Sequence, residues 1–405
     1  MFIRRFEVCN FKIHKNTQIA LFPTTVFVGP NSGGKSALFD ALINFSMVCR
    51  GSLAEAFNRF PYSFDAIRHH AASSTARIRY TVELGKDAET EGSLKYSIEF
   101  SQQPNSELEP TYSIHNEELI SGTTQLFSRS EDICNFSGLP ELQYADRSIF
   151  AAIRRVRWTT EFIDNNLLLA QCALQVSSVG RYRLDPTLMA RAGKVVEVKP
   201  GDTEASLVAP WLSYHGEDLA SVLYFLHETE NPLMEKIVNL VAEGIHGFEG
   251  FVFNRVGSDK VGFSAKFSDQ RGSVVAPNLS DGTLSMIGLV TLALAPGRPG
   301  ILCIEEPENG LTPKATRVFY RTVRELAASN ENPAQVLLSS HSPFVIVDAW
   351  NGEDRDFIYQ CHPAQGSAKV EKFSEIVQRA GTLRAGGEIG LALAEQIMDG
   401  FRYEL

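Results

Sequence analysis

Gly29-Pro-Asn-Ser-Gly-Gly-Lys35-Ser36 decides how this 405-residue chain is read. It fits the pattern G-x-x-x-x-G-K-[ST], and the pattern has a physical reason. Glycines let consecutive backbone N–H groups turn inward around phosphate oxygens, where a Cβ would obstruct. Lys35 adds a point charge, Ser36 offers a hydroxyl to a hard cation, and a following helix aims its positive end at the anion. Thr24-Thr-Val-Phe-Val28 reads as the strand entering the loop, and Ala37–Phe45 as an amphipathic helix leaving it. Gly29, Pro30, Asn31, Ser32, Gly33, Gly34, Lys35, Ser36 and Ala37 are the candidate phosphate-binding residues.

Composition bounds the rest. A hydrophobic share of 44% and a charged share of 21% are ordinary for a globular protein with a substantial core. The longest apolar run, Met286–Ala295, is too short to cross a bilayer, and the first residues, Met1-Phe-Ile-Arg-Arg, lack the apolar centre of a signal peptide. Six scattered cysteines form no C-x-x-C. This excludes a sequence-evident zinc site or disulfide framework and leads to the expectation of a cytoplasmic protein with no membrane partner. A net charge of −10 removes any general attraction to nucleic acid, so DNA contact would need a local basic face.

Residues 1–28 alternate as strands do, predicting an antiparallel start. Gly51–His70 reads as irregular. Thr75–Leu84, Ser93–Phe100 and Thr111–His115 alternate with a period of two, predicting an antiparallel meander with Arg77 and Arg79 on its wet face. Phe150–Leu169 and Asp218–Leu240 read as helical, Gly201–Pro210 as a loop, and Gly250–Phe267 as alternating again. No heptad pattern is sustained anywhere. In the last third, a helix-like run to Ala295 follows Ser280-Asp-Gly-Thr283. Pro299–Ile304 and Val336–Ser340 read as buried strands, with a helix over Lys314–Ala328 between them. The expected division is an N-terminal lobe over 1–120, a mixed helical and β insertion over 121–270, and a C-terminal lobe over 271–405.

A second set of polar residues sits at the ends of those elements. Glu305 and Glu306 close an apolar strand, where one carboxylate can hold a metal and the other can orient or deprotonate a water. Ser280, Asp281, Gly282 and Thr283 head a helix and can receive a phosphate, although Ser and Asp also serve as plain helix caps. Pro307-Glu-Asn-Gly-Leu311 is a tight turn. His341 ends the second buried strand, where a neutral imidazole can hydrogen-bond a phosphate or a water. Alone, each of these is equally a solvated or locally satisfied residue.

Taken in order, the phosphate loop, L-S-D-G-T, the apolar strand with E-E-P-E-N-G-L, and S-S-H-S-P resemble the ABC-type ATPases, in the branch that contains RecF, SMC heads and the OLD-family ATPases. The likeness covers roughly residues 1–45 and 275–350. It implies an α/β P-loop NTPase head with a mixed sheet core, an antiparallel β subdomain and a helical insertion. Gly29–Ser36 then matches Walker A, Ser280–Thr283 the signature motif, Glu305 and Glu306 Walker B and the catalytic glutamate, Glu308–Leu311 the D-loop, and His341 the switch histidine. The implied ligands are ATP and Mg²⁺, the metal on Ser36 and Glu305, with Lys35, Glu306 and His341 catalytic. Family members usually carry Asp where Glu305 stands and N-G-S-G-K-S where this loop reads N-S-G-G-K-S. Gln143 is the candidate for the Q-loop.

The resemblance further implies a homodimer, or a higher homo-oligomer, closed head to tail through ATP. Absent heptads count against an SMC-like or zinc-hook protein. The sixty or so residues after His341 are too few for a Toprim nuclease, so a separate nuclease or other effector is the expected partner. Basic clusters at Arg154-Arg-Val-Arg157-Trp158, at Arg181 and Arg183, and at Arg317, Arg321 and Arg324 are candidate DNA contacts, or solvated faces with local acidic partners. The expected function is an ATP-hydrolysing switch in bacterial anti-phage defence. The alternatives are a RecF-like repair ATPase and a nucleotide-binding scaffold with little turnover.

Overall fold

The computed structural model describes residues 2–58, 63–73, 76–85, 94–103, 111–130, 133–136, 146–154, 167–195, 210–329, 332–351, 357–379 and 388–398. The chain divides into two compact units, Met1–Val179 with Ala349–Leu405, and Gly180–Asp348. Strands are numbered along the chain.

The first unit holds β1 (Phe2–Phe11), β2 (His14–Ala20), β3 (Thr24–Val28), β4 (Ile78–Gly85), β5 (Leu94–Gln102), β6 (Tyr112–Ser121), β7 (Thr124–Ser130), β8 (Ile133–Phe136), β16 (Ile358–Ala364) and β17 (Ser367–Lys372). Seven of them form a sheet ordered β2-β1-β4-β5-β6-β7-β8, with every neighbour pair antiparallel. The meander read from alternation thus includes β1 and β2 and runs on through β7 and β8. In β4 the residues Ile78, Tyr80, Val82 and Leu84 are buried in strict alternation, as a half-solvated sheet requires. On the wet face Arg77 pairs with Glu99 at 2.9 Å and Arg79 with Glu7 at 3.1 Å. The helix Lys35–Arg50 packs on the dry face. Phe45 meets Phe6 and Tyr80 with ring centroids 6.1 and 5.6 Å apart, and the Tyr80 hydroxyl donates to Asn44 Oδ1 at 2.8 Å. β3 pairs in parallel with β16, which pairs antiparallel with β17.

One reading needs correction here, and another is only partly covered by the described residues. Gly51–His70 is not irregular throughout: Leu53–Phe57 and Phe64–Ile67 are short helices, the first closed by a capping box of Ser52 and Glu55. Each is about one turn long, too short for a periodic signal. The helical stretch Phe150–Leu169 is observed as helices Ile149–Ile153 and Leu167–Val176, with 155–166 outside the described residues.

The second unit is opened by β9 (Val179–Tyr182) and holds β10 (Gly193–Lys194), β11 (Phe248–Val256), β12 (Lys260–Phe267), β13 (Ser273–Val275), β14 (Ile301–Glu305) and β15 (Gln335–Ser340). β11 and β12 form an antiparallel hairpin joined by β10 and β13. The alternating stretch Gly250–Phe267 is this hairpin, paired in continuous register from Gly250 with Lys266 to Val256 with Lys260; a register shift lies just before it, between Phe248 and Gly250, and Val256 is exposed. β14 and β15 run parallel and are buried along their length, which explains their continuous apolar sequence. Helix Pro313–Ala328 joins them. Thr312 caps it, accepting the Ala315 N–H at 3.3 Å, and Val318, Phe319, Val323 and Leu326 form its buried stripe. Among the described residues no helix is long and apolar enough to cross a membrane. The described cysteine side chains, Cys9, Cys49, Cys172, Cys303 and Cys361, are buried and form no disulfide with one another.

Candidate active site

The phosphate loop bends because its neighbours leave no alternative. Gly29 (φ +134°) and Gly33 lie against the backbone of β16; a Cβ on Gly33 would sit 2.5 Å from the Cys361 carbonyl oxygen, and one on Gly29 would be closer still. Gly34 is left-handed (φ +101°), caps the helix Lys35–Arg50 with no side-chain hydrogen bond, and would push a Cβ into Ala368 and the His14 ring. Ser32 is also left-handed (φ +66°). The order N-S-G-G in place of N-G-S-G therefore has a local cause. The glycine stands where Cys361 forbids a side chain, and the serine takes the position that is merely strained. Lys35 is buried, and its Nζ donates to the carbonyls of Gly29 at 2.7 Å and Pro30 at 2.9 Å.

Two supports of the loop escaped sequence reasoning. His14 is buried. Its Nε2 lies 3.0 Å from the Gly34 carbonyl oxygen and its Nδ1 2.9 Å from Thr17 Oγ1. Burial pushes its pKa down to about 4, so the ring is neutral at pH 7. Lys12 pairs with Asp40 of the phosphate helix at 2.5 Å. Neither residue belongs to a pattern, and the only hint is polar side chains in a strand hairpin.

In the second unit β14 delivers Glu305, which is buried, and then Glu306, whose backbone is left-handed (φ +47°). A non-glycine residue in that region is strained and held there by its surroundings. Arg181 of β9 pairs with Glu305 through Nε, and its guanidinium lies 5.6 Å from the Tyr214 ring centre. Three side chains reach Glu306: Asn309 Nδ2 donates to Oε2 at 2.9 Å, His341 Nε2 is 3.1 Å from Oε1, and Arg183 is 3.6 Å from Oε2. Two residues on, Glu308 Oε1 accepts the Ser340 hydroxyl at 2.6 Å and the His341 N–H at 3.1 Å, and burial raises its pKa. A cavity of about 570 Å³ opens beside these groups, lined among others by Arg183, Tyr214, Asp281, Glu305, Glu306 and Asn309.

Ser280 caps the helix Asp281–Leu294: its Oγ accepts the Thr283 N–H at 3.2 Å and lies 2.9 Å from Thr283 Oγ1. The cap reading of this segment is thereby observed. Gly282 packs so closely on the Gly310 carbonyl that a Cβ there would overlap it.

Several members of the basic clusters have local partners, as the second of the two readings expects. Arg181 and Arg183 bind the two carboxylates. Arg321 holds Glu243 by two hydrogen bonds of 2.8 and 2.5 Å, and Arg317 lies 3.6 Å from Asp348. Arg154 donates to Ser177 at 2.6 Å. Arg155, Arg157, Trp158 and Gln143 lie outside the described residues.

The residues fit a nucleotide in kind. The phosphate helix begins without a side-chain cap or an acidic first turn, the condition in which its leading N–H groups suit an anion. Hydroxyl and carboxylate oxygens, as on Ser36 and Glu305, are what Mg²⁺ takes. Among the described residues no three His, Cys, Asp or Glu side chains cluster as a metal site of their own.

Two stretches of the chain match ATPase families. Residues 1–130 match the family described as "AAA ATPase domain", and residues 220–348 the family described as "AAA domain, putative AbiEii toxin, Type IV TA system". No curated protein matches the chain. Among solved structures, an SMC head bound to the C-terminal winged-helix domain of ScpA is similar over 93% of this chain and 100% of its own, with 13% identity and a TM-score of 0.54. An SMC head with an extended coiled coil, bound to the C-terminal domain of ScpA from Pyrococcus furiosus, is similar over 94% and 98%, with 12% identity and a TM-score of 0.50. At such identities the likeness is one of fold.

Proposed function

From the two ATPase family matches and the fold likeness to SMC heads, we propose that this chain is an ABC-type ATPase of the RecF/SMC branch that binds Mg-ATP at Gly29–Ser36 and hydrolyses it with Glu306 as general base. The loop N–H groups and Lys35 hold the phosphates. Ser36 and Glu305 are the residues that would hold Mg²⁺, which when bound neutralises phosphate charge. Glu306 takes a proton from the attacking water. The water oxygen bonds to the γ-phosphorus, the bond from γ-phosphorus to the β–γ bridging oxygen breaks, and ADP and phosphate leave. His341 orients the Glu306 carboxylate. Ser280–Thr283 of a second copy closes over the γ-phosphate, so that ATP joins two heads and hydrolysis releases them.

The observation that carries this reading is the strained backbone of Glu306, whose carboxylate is engaged by Asn309, His341 and Arg183 at once. Strained residues held by several partners cluster at active sites. Glu306→Gln is expected to bind ATP and form the dimer while turnover falls about 10²- to 10⁴-fold. Wild-type-like hydrolysis by Glu306→Gln would refute the assignment.

We propose a separate nuclease or other effector, or DNA, as what the switch acts on, in a defence role. Support comes from the branch likeness and from the toxin–antitoxin description attached to residues 220–348. That warrant is one of association. Turnover measured with and without duplex DNA separates direct DNA action from action on a protein partner. The reading as a low-turnover scaffold has one observation in its favour: Glu305, the carboxylate a metal needs, is engaged by Arg181.

A further inference from the structure

Glu308 stands in the turn after the two strand-end carboxylates, and its side chain runs toward β15 instead of the cavity. Its Oε1 receives two donors from consecutive residues, the Ser340 hydroxyl at 2.6 Å and the His341 backbone N–H at 3.1 Å, while its Oε2 is buried with no partner. Ser340 in turn receives the Ser342 N–H on its Oγ at 3.0 Å, which fixes the hydroxyl's orientation. At the same level Glu306 N donates to Ser339 O at 2.9 Å. The turn Glu306–Glu308 and the strand end Ser339–His341 are thus stitched at successive residues, and the last link is the ring of His341 against Glu306 at 3.1 Å.

This makes a closed circuit. From Glu306 the path runs through Pro307 to Glu308, across to the His341 backbone, out along the imidazole, and back to the Glu306 carboxylate. Pro307 is buried and stiff, with φ restricted by its ring. Where the His341 backbone sits determines where its Nε2 meets Glu306, and the Glu308 side chain accepts that backbone's N–H.

We infer that Glu308 is a positioning residue: it sets the place of the His341 imidazole against the Glu306 carboxylate. This rests on the proposed roles of Glu306 and His341. Glu308 touches neither the phosphate nor the water in that scheme and acts through the histidine. A group whose function is to accept two hydrogen bonds can be replaced by a neutral acceptor of the same shape, but not by an apolar chain of the same length.

The test uses the full chain in three backgrounds. Glu308→Gln keeps an acceptor and is expected to retain turnover within about twofold. Glu308→Met keeps the length but removes the acceptor, and kcat is expected to fall about tenfold with the ATP KM unchanged. Placed on His341→Ala, Glu308→Met is expected to add no further loss, because both act on one contact. A readout independent of hydrolysis is the imidazole resonance of His341 in histidine-labelled protein, assigned by its disappearance in His341→Gln. That signal is expected to move in Glu308→Met and to stay in Glu308→Gln. Additive losses in the double variant, or a His341 resonance unmoved by Glu308→Met, overturn the inference. Should Glu308→Met not fold, Glu308→Gln decides instead: a displaced His341 signal in that variant refutes the inference, and an unmoved one supports it. If the resonances behave as expected while Glu306→Gln still hydrolyses ATP, the positioning role stands and the base assignment alone falls.

Discussion

At the phosphate loop the neighbours that matter are main-chain atoms: the Cys361 carbonyl behind Gly29 and Gly33, and the Gly29 and Pro30 carbonyls under Lys35. The two strand-end carboxylates are instead held by side chains: Arg181 on Glu305, and Arg183, Asn309 and His341 on Glu306. A backbone neighbour cannot step aside, whereas a side chain can change rotamer. The loop should therefore be brittle toward small substitutions, and Glu305 and Glu306 tolerant of losing one of their side-chain partners.

The sharpest break of that contrast is at Gly33. Gly33→Ala places a methyl 2.5 Å from the Cys361 oxygen, and ATP binding is expected to weaken at least about a hundredfold, some 3 kcal/mol. Restoring the commoner order with Ser32→Gly and Gly33→Ser together is expected to fail equally, since relief at Ser32 leaves the Cys361 clash in place. Calorimetric titration with ATP decides; binding within about threefold of wild type by either variant shows that the β16 backbone yields.

The difference between the regions also marks how much could be read in advance. β3, the loop and the helix after it are one continuous stretch whose signals are local, and the meander was legible from period-two burial such as Ile78, Tyr80, Val82 and Leu84. What escaped reading depends on contacts distant in sequence. Arg181 meets Glu305 across 124 residues, so its cluster read as a surface basic patch. His14 meets Gly34 across 20, with no motif to flag it. At Ser280 both readings were open, and the cap geometry is visible only once Thr283 is seen to donate to it. The register shift at Phe248 and Gly250 depends on pairing with β12, and no single strand's alternation carries that information.

A second prediction tests the loop's support. Folding holds His14 neutral, with its pKa lowered from 6.5 to about 4. The unfolded chain takes up a proton below about pH 6.5 and the folded chain only near pH 4. The ring's contribution to stability is thus complete above about pH 6.5, declines as pH falls, and is gone by about pH 4, a change of about 3 kcal/mol. Urea melts of wild type and His14→Gln between about pH 7 and pH 4.5 should show the slope in the former and a reduced slope in the latter. Equal slopes would mean that His14 is protonated in the fold or reached by water.

The smallest effect is expected on the tolerant side. Arg183 is 57% exposed on its side chain and 3.6 Å from Glu306. An ion pair so exposed contributes about 0.5 kcal/mol or less to stability, because water and salt screen it. Glu306 keeps Asn309 and His341 when Arg183 becomes alanine, so kcat is expected to fall only about threefold with no change in ATP affinity. The cause of even that loss can be identified by salt. Raising ionic strength should weaken the exposed pair in wild type and bring its turnover toward that of Arg183→Ala, closing the gap between them. A gap that persists in high salt would mean that Arg183 acts through shape instead of charge. A variant that no longer folds would show the carboxylate turn to be as brittle as the loop, and the contrast between the two halves would be lost.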